Sequence, residues 1–238
     1  MISVVNLAAS LPMNPSLPQS ETQSELERIY SVRFSGLEDY RNRVWNVLVN
    51  EFFSQWIKPG DSVLDLGCGY CEFINNVTAA QKFAMDLNPS ARDRVSGDAR
   101  FIEQDCSAPW PLANDSLNLV FSSNFFEHLP SKAALQATLL EAYRCLKPGA
   151  HLIAIGPNVK LLSGDYWDFF DHHLPLTELS LSEALVMAGY KVERALPRFL
   201  PYTMSKGFRP PIWTLRLYLK IPLLWRYLGR QFLVICRK

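Results

Sequence analysis

The segment 63–73 constrains the fold of this chain more than any other. A short apolar run carrying Asp65 leads into Gly67-Cys68-Gly69, after which the apolar residues resume at helical spacing. This order predicts a strand, a tight turn and a helix start, which together form the first unit of a ligand-binding α/β sheet. Glycine lets the backbone approach a ligand where a Cβ atom would collide with it.

The third position of the Gly-x-Gly-x-x-Gly pattern decides which ligand such a turn favours. Dinucleotide sites place glycine there and bring a pyrophosphate to the helix N-terminus, whereas this chain has Glu72. Carboxylates at Glu72 and Asp65 would repel two phosphate charges at close range. A ligand with an ammonium group is favoured instead, which makes an NAD-dependent oxidoreductase the weaker hypothesis.

Two further predicted strands end in aspartate. Residues 82–86 end in Asp86, 17 residues after Gly69, and residues 100–105 end in Asp105. An acidic side chain at about 20 residues past the glycines can accept hydrogen bonds from ribose hydroxyls, and Asp105 could accept from an adenine amino group. Three such strands would bring three carboxylates to one edge of the sheet.

Taken together, these motifs are similar to those of the class I S-adenosylmethionine-dependent methyltransferases, in their small-molecule branch (types 11 and 12). The similar segments are Leu64–Gly69, Met85–Pro89, Gln104–Cys106, Leu119–Leu129 and Leu146–Ala150. The resemblance implies S-adenosylmethionine as cofactor and S-adenosylhomocysteine as product, and is nearly silent on the methyl acceptor. The cofactor-binding residues it implies are Asp65, Gly67, Cys68, Gly69, Asp86, Leu87, Asp105, Cys106 and Asn124.

Alternating strand and helix patterns predict an α/β fold with a Rossmann-like, doubly wound sheet. The resemblance implies seven strands, the last antiparallel. We expect a flexible leader at 1–24 and a single methyltransferase domain at 25–238, and a capping-box spacing from Ser180 to Glu183 predicts one helix start. The domain should carry an N-terminal helix at 37–58, a substrate lid loop at 156–176 and an amphipathic helical insert at 198–230.

Histidines are the candidate catalytic residues. Methyl transfer from a sulfonium is a one-step displacement that gains much from alignment, but a hydroxyl acceptor must also lose a proton, which a histidine can take. His128 follows the fourth strand, and His172 and His173 lie on the long loop. The alternative role of Glu127 and His128 is to cap the turn after that strand.

Substrate contacts are expected from the long loop and the first helix. A loop of 21 residues is usually a lid or a binding loop, and in an open α/β sheet it emerges beside the cofactor. The N-terminal helix of the resembled family lies over the cofactor, so Tyr30, Arg33, Phe34 and Tyr40 could contact ligand or tie the helix to the core. The candidate substrate-binding residues are Tyr40, Asn158, Tyr166 and Trp167.

A metal site is not expected. Some relatives hold a divalent metal with a Glu-x-x-Glu-His cluster, but this chain has Asn124 at the first position, followed by Glu127-His128. Loss of a charged ligand weakens a site for a hard cation. Cys68 and Cys71 form a Cys-x-x-Cys, but no second cysteine pair accompanies it, so we favour neither a redox pair nor a zinc site.

The insert is both apolar and basic. On one continuous helix, merely kinked at Pro222, the five cations from Arg209 to Arg230 would occupy a sector of about 120°. Such a stripe is typical of an interfacial helix, so 209–230 is one candidate for peripheral membrane contact. A helical cap folded onto the domain is the other interpretation.

Charge and cysteine content limit the partners. Lys and Arg number 24 and Asp and Glu 23, so no global field favours nucleic acid as a partner. Five scattered cysteines favour a reducing, cytoplasmic location. The expected acceptor is a small molecule, with a saccharide or a lipid-linked intermediate as the first choice. The alternative function is a non-catalytic methyltransferase-like module that binds cofactor or a partner.

Overall fold

One seven-stranded sheet organises the computed structural model, which describes residues 37–162, 164–202 and 209–238. The strand order is β3-β2-β1-β4-β5-β7-β6. All neighbouring strands are parallel except β7, which is antiparallel to both β5 and β6. The predicted doubly wound sheet with an antiparallel last strand is confirmed. The strands are β1 (Ser62–Leu66), β2 (Gln81–Asp86), β3 (Arg100–Glu103), β4 (Leu117–Ser123), β5 (Leu146–Pro157), β6 (Lys191–Leu196) and β7 (Gln231–Arg237).

Apolar cores cover both faces of the sheet. Successive residues of β5, Leu152 and Ile153, belong to different buried clusters, because neighbouring side chains of a strand point to opposite faces. Every residue of β1 is buried, as expected for a central parallel strand. The flanking helices in the described ranges are α1 (Glu38–Glu51), α2 (Glu72–Asn76), α3 (Lys132–Cys145), α4 (Glu178–Met187), α5 (Ile212–Lys220) and α6 (Pro222–Leu228).

Three predicted boundaries are wrong. Helix α1 ends at Glu51 rather than near 58, and a 3-10 turn at Phe53–Trp56 follows it, with Phe53 fully buried. The capping box that starts α4 pairs Thr177 with Ser180, one turn before the predicted one. Strand β3 ends at Glu103, because the Asp105 carboxylate accepts from the main-chain N–H of Ser107 (2.8 Å) and forms a turn there.

The insert forms two helices rather than one. Ile221, with φ −120° and ψ 84°, separates α5 from α6, and Pro222 occupies the first turn of α6. Proline is favoured at that position, because the first turn of a helix leaves its N–H groups unbonded. The condition for a continuous cation stripe, one helix that Pro222 only kinks, is therefore not met.

One face of the insert packs on the domain as a cap. Trp225 is buried with its ring 5.8 Å from that of Phe52 and 5.2 Å from that of Phe199. Tyr218 donates its hydroxyl to the Phe199 carbonyl, and the Trp225 indole donates to the Tyr218 carbonyl (2.8 Å). These contacts tie both helices to the same aromatic cluster.

No helix within the described ranges is both long and apolar enough to traverse a bilayer. The predicted leader at 1–24 and the residues Tyr30, Arg33 and Phe34 lie outside the described part of the chain.

Candidate active site

The glycine turn after β1 has the backbone geometry that its sequence predicts. Gly67 and Gly69 have φ of +70° and +50°, which side-chain-bearing residues rarely adopt. A Cβ atom on Gly67 would lie 2.1 Å from Cγ of Phe125, so packing as well as φ requires glycine there. The N–H groups of Gly67 and Cys68 both donate to the Met85 carbonyl (2.9 and 3.1 Å), which fixes the turn against β2.

A pocket opens beside this turn, at the carboxyl ends of β1 and β4. It brings together seven residues that the sequence singled out as candidates: Asp65, Gly67, Cys68, Gly69, Asn124, His128 and His172. Its wall also contains residues that sequence reasoning missed, among them Arg41, Trp45, Tyr70, Phe169, Tyr202 and Gln231. Arg41 and Trp45 are four residues apart on α1, so they share one helix face, and that spacing was the available signal.

Glu72 lies in the pocket wall but does not present a free carboxylate. Its Oε1 lies 2.8 Å from Nε of Arg41. Burial raises the pKa of Glu72, and the charge of Arg41 opposes that shift. The electrostatic argument for an ammonium ligand that was built on Glu72 therefore does not hold, because Arg41 balances this charge.

Asp65 is buried at the end of β1 and supports the turn from beneath. Its Oδ2 accepts from the main-chain N–H of Ile74 in α2 (3.3 Å). Burial raises the pKa of Asp65 well above its ordinary range; the Ile74 hydrogen bond opposes the shift, and nearby Glu72 and Asp86 add to it. The residue thus links β1, the turn and α2.

Four predicted cofactor residues lie outside the lining of this pocket as described: Asp86, Leu87, Asp105 and Cys106. The Asp86 carboxylate accepts from the N–H groups of Gly69 (2.8 Å) and Asn88 (2.9 Å), so it braces the glycine turn. The Cys106 thiol is buried, accepts from Oγ1 of Thr138 (3.3 Å), and has a pKa raised by burial to about 12. Its side chain is a core element.

A cluster of titratable groups forms one side of the pocket. Nδ1 of His128 lies 3.0 Å from the main-chain oxygen of Asp171 and 3.2 Å from its Oδ2. Both partners are acceptors, so Nδ1 carries the proton, and neutral His128 has its lone pair on Nε2. Burial lowers the pKa of His128, but the Asp171 hydrogen bonds and the charge of Glu127 raise it overall.

Glu127 and His172 complete this cluster. Glu127 is buried, and burial raises its pKa to about 7. The His172 ring lies 5.0 Å from that of His128 and stacks on Phe169 at 5.0 Å. His173, by contrast, is exposed. Adjacent loop positions therefore differ in role, and only His172 of the two lines the pocket.

The long loop is anchored beneath the cluster. The main-chain N–H groups of His173 and Leu174 both donate to the Glu127 carbonyl (2.8 and 3.0 Å). Tyr166 is buried and donates to the Leu174 carbonyl. These bonds hold the loop against the turn that follows β4.

The four predicted substrate residues do not line this pocket in the described structure. Asn158 is fully buried and donates to Oε2 of Glu178 (2.6 Å) and to the Pro197 carbonyl (3.0 Å), as a structural residue does. Tyr166 lies in the loop core, and Trp167 is 58% exposed. Tyr40 donates to the Pro210 carbonyl (2.9 Å) at a separate hollow between α1 and α5.

One donor set in the site is of the kind that binds metals. Glu127, His128 and His172 each place a ligand atom within 4.8 Å of the others, and two imidazoles with a carboxylate are donors that Zn²⁺ accepts. Sγ of Cys68 lies 3.5 Å from Sγ of Cys71, both buried. The expectation of no metal stays a prediction.

The pocket matches a ligand that donates hydrogen bonds. Oδ1 of Asn124 and Oε1 of Gln231 are buried and have no hydrogen-bond partner within the described residues, and both residues line the pocket. A buried acceptor left unbonded costs about 1–3 kcal/mol, so a ligand with N–H or O–H groups is favoured. The ammonium and hydroxyls of S-adenosylmethionine are such groups.

Comparison with known proteins identifies a domain that contains most of this site. Residues 64–154 match the model of the methyltransferase domain family. No curated protein matches the sequence.

Solved structures share the fold across nearly the whole chain. A chain of the complex that contains the Haloferax volcanii Trm112 methyltransferase activator is 20% identical, with a TM-score of 0.64, over 90% of this chain and 97% of that one. A S-adenosylmethionine-dependent methyltransferase from Archaeoglobus fulgidus is 18% identical, with a TM-score of 0.59, over 93% and 95%. The [4+2]-cyclase SpnF is 17% identical, with a TM-score of 0.56, over 80% and 79%.

Proposed function

We propose that this chain is a class I S-adenosylmethionine-dependent methyltransferase that methylates a hydroxyl group of a small molecule. The match of residues 64–154 to the methyltransferase domain family supports this proposal. A saccharide or a lipid-linked intermediate is the proposed acceptor class. One observation carries the choice of a hydroxyl: a histidine with a defined tautomer, His128, lies in the same pocket as the glycine turn.

The proposed chemistry assigns roles to six groups of this chain. S-adenosylmethionine supplies an electrophilic methyl group when bound. The glycine turn, Asp65 and Asn124 hold the methyl donor, with Asp86 bracing the turn from β2. Nε2 of His128 accepts the acceptor proton while Asp171 holds Nδ1, and Asp171 stabilises the imidazolium that results.

His172 and Phe169 form the wall against which we place the acceptor. Their stacked rings lie at the pocket surface beside His128, and a flat apolar wall suits the carbon face of a sugar or an isoprenoid. His173, which is exposed, has no role in this mechanism.

The test separates donor binding from methyl transfer. A radiolabelled methyl screen across sugars, lipids and phenols first identifies an accepted substrate. His128→Asn should then bind S-adenosylhomocysteine as the unchanged protein does, yet lose about 10²-fold or more in turnover. His151→Asn is the matched control, because His151 pairs with Glu193 far along β5. Full activity in His128→Asn would exclude the proton-accepting role.

The second candidate is a methyltransferase-like module that binds cofactor or a partner without transferring methyl. The same fold occurs in a protein described as a [4+2]-cyclase, so the fold alone does not imply methyl transfer. This candidate predicts binding of S-adenosylhomocysteine together with no methyl transfer to any acceptor. For the proposed cytoplasmic location, the supporting fact is that all five cysteines are buried free thiols.

A further inference from the structure

Each helix of the insert has an apolar side that the described residues leave exposed, and these two sides together are called the docking face here. Of 13 large apolar side chains that are exposed in the described residues, six lie within 213–228. On α5, Trp213 and Leu217 are 62% and 48% exposed and four residues apart; on α6, Leu223 and Tyr227 repeat that spacing at 60% and 71%. Residues four apart share one side of a helix. The others are Ile221 and Leu228.

The charged residues of the insert itself all have one sign. From 194 to 238 the chain contains ten Lys and Arg residues and no Asp or Glu. Lys220 and Arg226 are exposed among the apolar side chains, whereas Arg216 is paired with Glu51 of α1 (2.6 Å). An anionic partner therefore meets no carboxylate from the insert itself.

We propose that this face docks on an anionic membrane surface, with Trp213, Leu217, Leu223 and Tyr227 in the headgroup region and Lys220 and Arg226 against acidic lipids. Tryptophan and tyrosine favour that depth because their rings are amphipathic. Apolar burial and attraction to anionic lipid act together in such interfacial elements. The absence of carboxylates among these residues favours a lipid surface over a second copy of this face.

The insert lies beside the wall of the pocket. The Tyr40 hydroxyl of α1 binds the Pro210 carbonyl just before α5 (2.9 Å), and the next residue, Arg41, lines the pocket. Pro201 and Tyr202, which precede the insert helices, also line it. Resting on the proposed function, this arrangement assigns the acceptor to amphiphilic molecules held at a membrane surface.

Vesicle flotation with the full chain tests the docking without an acceptor. We expect the protein to float with phosphatidylcholine vesicles that contain phosphatidylglycerol, and to remain below with phosphatidylcholine alone. High salt should weaken the association, because it screens exposed charges. A protein that stays in the soluble fraction with every vesicle would overturn the proposal.

Matched variants locate the surface. Trp213→Ser with Tyr227→Ser should weaken partitioning by about tenfold or more, since two exposed apolar side chains lose their burial. Val186→Ser with Met187→Ser removes equally exposed apolar groups from α4 and should change nothing. Equal loss in both pairs would overturn the assignment.

A second double variant, which removes two cations, tests the electrostatic contribution to vesicle binding. Lys220→Gln with Arg226→Gln should weaken binding to anionic vesicles by about fivefold for each cation, while Lys132→Gln with Lys191→Gln should not. If the Lys220→Gln, Arg226→Gln variant binds anionic vesicles as the unchanged protein does, the role proposed for these two cations is wrong. If Trp213→Ser converts a dimer into a monomer in sedimentation, the face is a subunit interface and the proposal is wrong.

The same variants distinguish this proposal from the proposed function. Affinity for S-adenosylhomocysteine, measured without vesicles, reports on the pocket and should be unchanged in all four double variants. If the protein binds anionic vesicles but transfers methyl to no acceptor, only the proposed function is wrong. If it transfers methyl but does not bind the vesicles, only the membrane-docking proposal is wrong.

Discussion

Nε of Arg41 on α1 lies 2.8 Å from Oε1 of Glu72 on α2, and both side chains are nearly buried, at 12% and 11% exposure. The pair joins two helices across the wall of the pocket. Removing one partner of a buried ion pair leaves the other charge desolvated, whereas exposed pairs contribute little.

We therefore expect Arg41→Gln, which leaves the buried Glu72 carboxylate without its counter-charge, to lower the free energy of unfolding by about 3 kcal/mol at about pH 8, measured by urea denaturation. Glu38→Gln is the matched control, since Glu38 pairs with Arg94 at 3.2 Å in a much more exposed setting, and it should cost less than about 1 kcal/mol. Similar losses in the two variants would contradict a special role for the buried pair.

Asp86 should govern affinity for the cofactor product. Asp86→Ala removes the carboxylate that braces Gly69 and the predicted acceptor of ribose hydroxyls, which should cost about 1.5–3 kcal/mol of binding. Calorimetry with S-adenosylhomocysteine measures this loss. Asp98→Ala, at an exposed carboxylate paired with Lys82, should bind normally, and unchanged affinity in Asp86→Ala would remove the ribose assignment.

Glu127 should make stability depend on pH. Burial raises its pKa to about 7 from an ordinary value of 4.5, so the folded state favours the protonated acid. The stability that the protonated Glu127 contributes is fully present below pH 4.5 and is lost as pH rises through 7. The free energy of unfolding should therefore change by about 3 kcal/mol over this range. Glu127→Gln, which cannot ionise, should be more stable than the unchanged protein at about pH 8 and differ little in acid. Denaturant midpoints across pH measure this, and a variant less stable at every pH would contradict it.

The loop 156–176 should gain protection when the site is filled. Amide hydrogen exchange across 166–174 should slow once S-adenosylhomocysteine and acceptor bind, because His173 and Leu174 donate to the main chain of Glu127 beside the pocket. Amides of β3, an edge strand four positions from β5 in the sheet, serve as the internal control. Equal exchange in all states would leave the loop as a structural element only.

Elemental analysis should find no stoichiometric metal in the purified protein. The cluster of Glu127, His128 and His172 holds one carboxylate, which is a weak set for a hard cation, and the proposed mechanism needs the Nε2 lone pair of His128 for a proton rather than for Zn²⁺. Zinc at one equivalent that is lost in His172→Asn and kept in His173→Asn would show this prediction to be wrong.

Local sequence signals predicted the sheet and the glycine turn because both depend on short-range pattern. The apolar run before Gly67 and the need for positive φ in the turn can be read from neighbouring residues alone. The break at Pro222 also depends on neighbouring residues, but the same sequence is compatible with a kinked helix and with the start of a new helix. In the structure a new helix starts there, and its Trp225 packs against Phe199.

The pocket wall was harder to predict because it is set by tertiary placement. Tyr40 and Arg41 are adjacent on α1, and the direction of the helix decides which of them reaches the pocket. The same holds for His172 against His173. Gln231 has no local signal at all, since only the pairing of β7 with β5, Pro157 against Gln231, brings it to the site.

That pairing also sets an order of events during synthesis. Strand β7 lies between β5 and β6 in the sheet, so β6 leaves the ribosome before the only strand that it pairs with in the described structure. Until residues 231–237 emerge, the open edge of β5 is available to other chains, and Gln231 is missing from the pocket. A nascent chain arrested before β7 should therefore need chaperone protection and should bind no cofactor product.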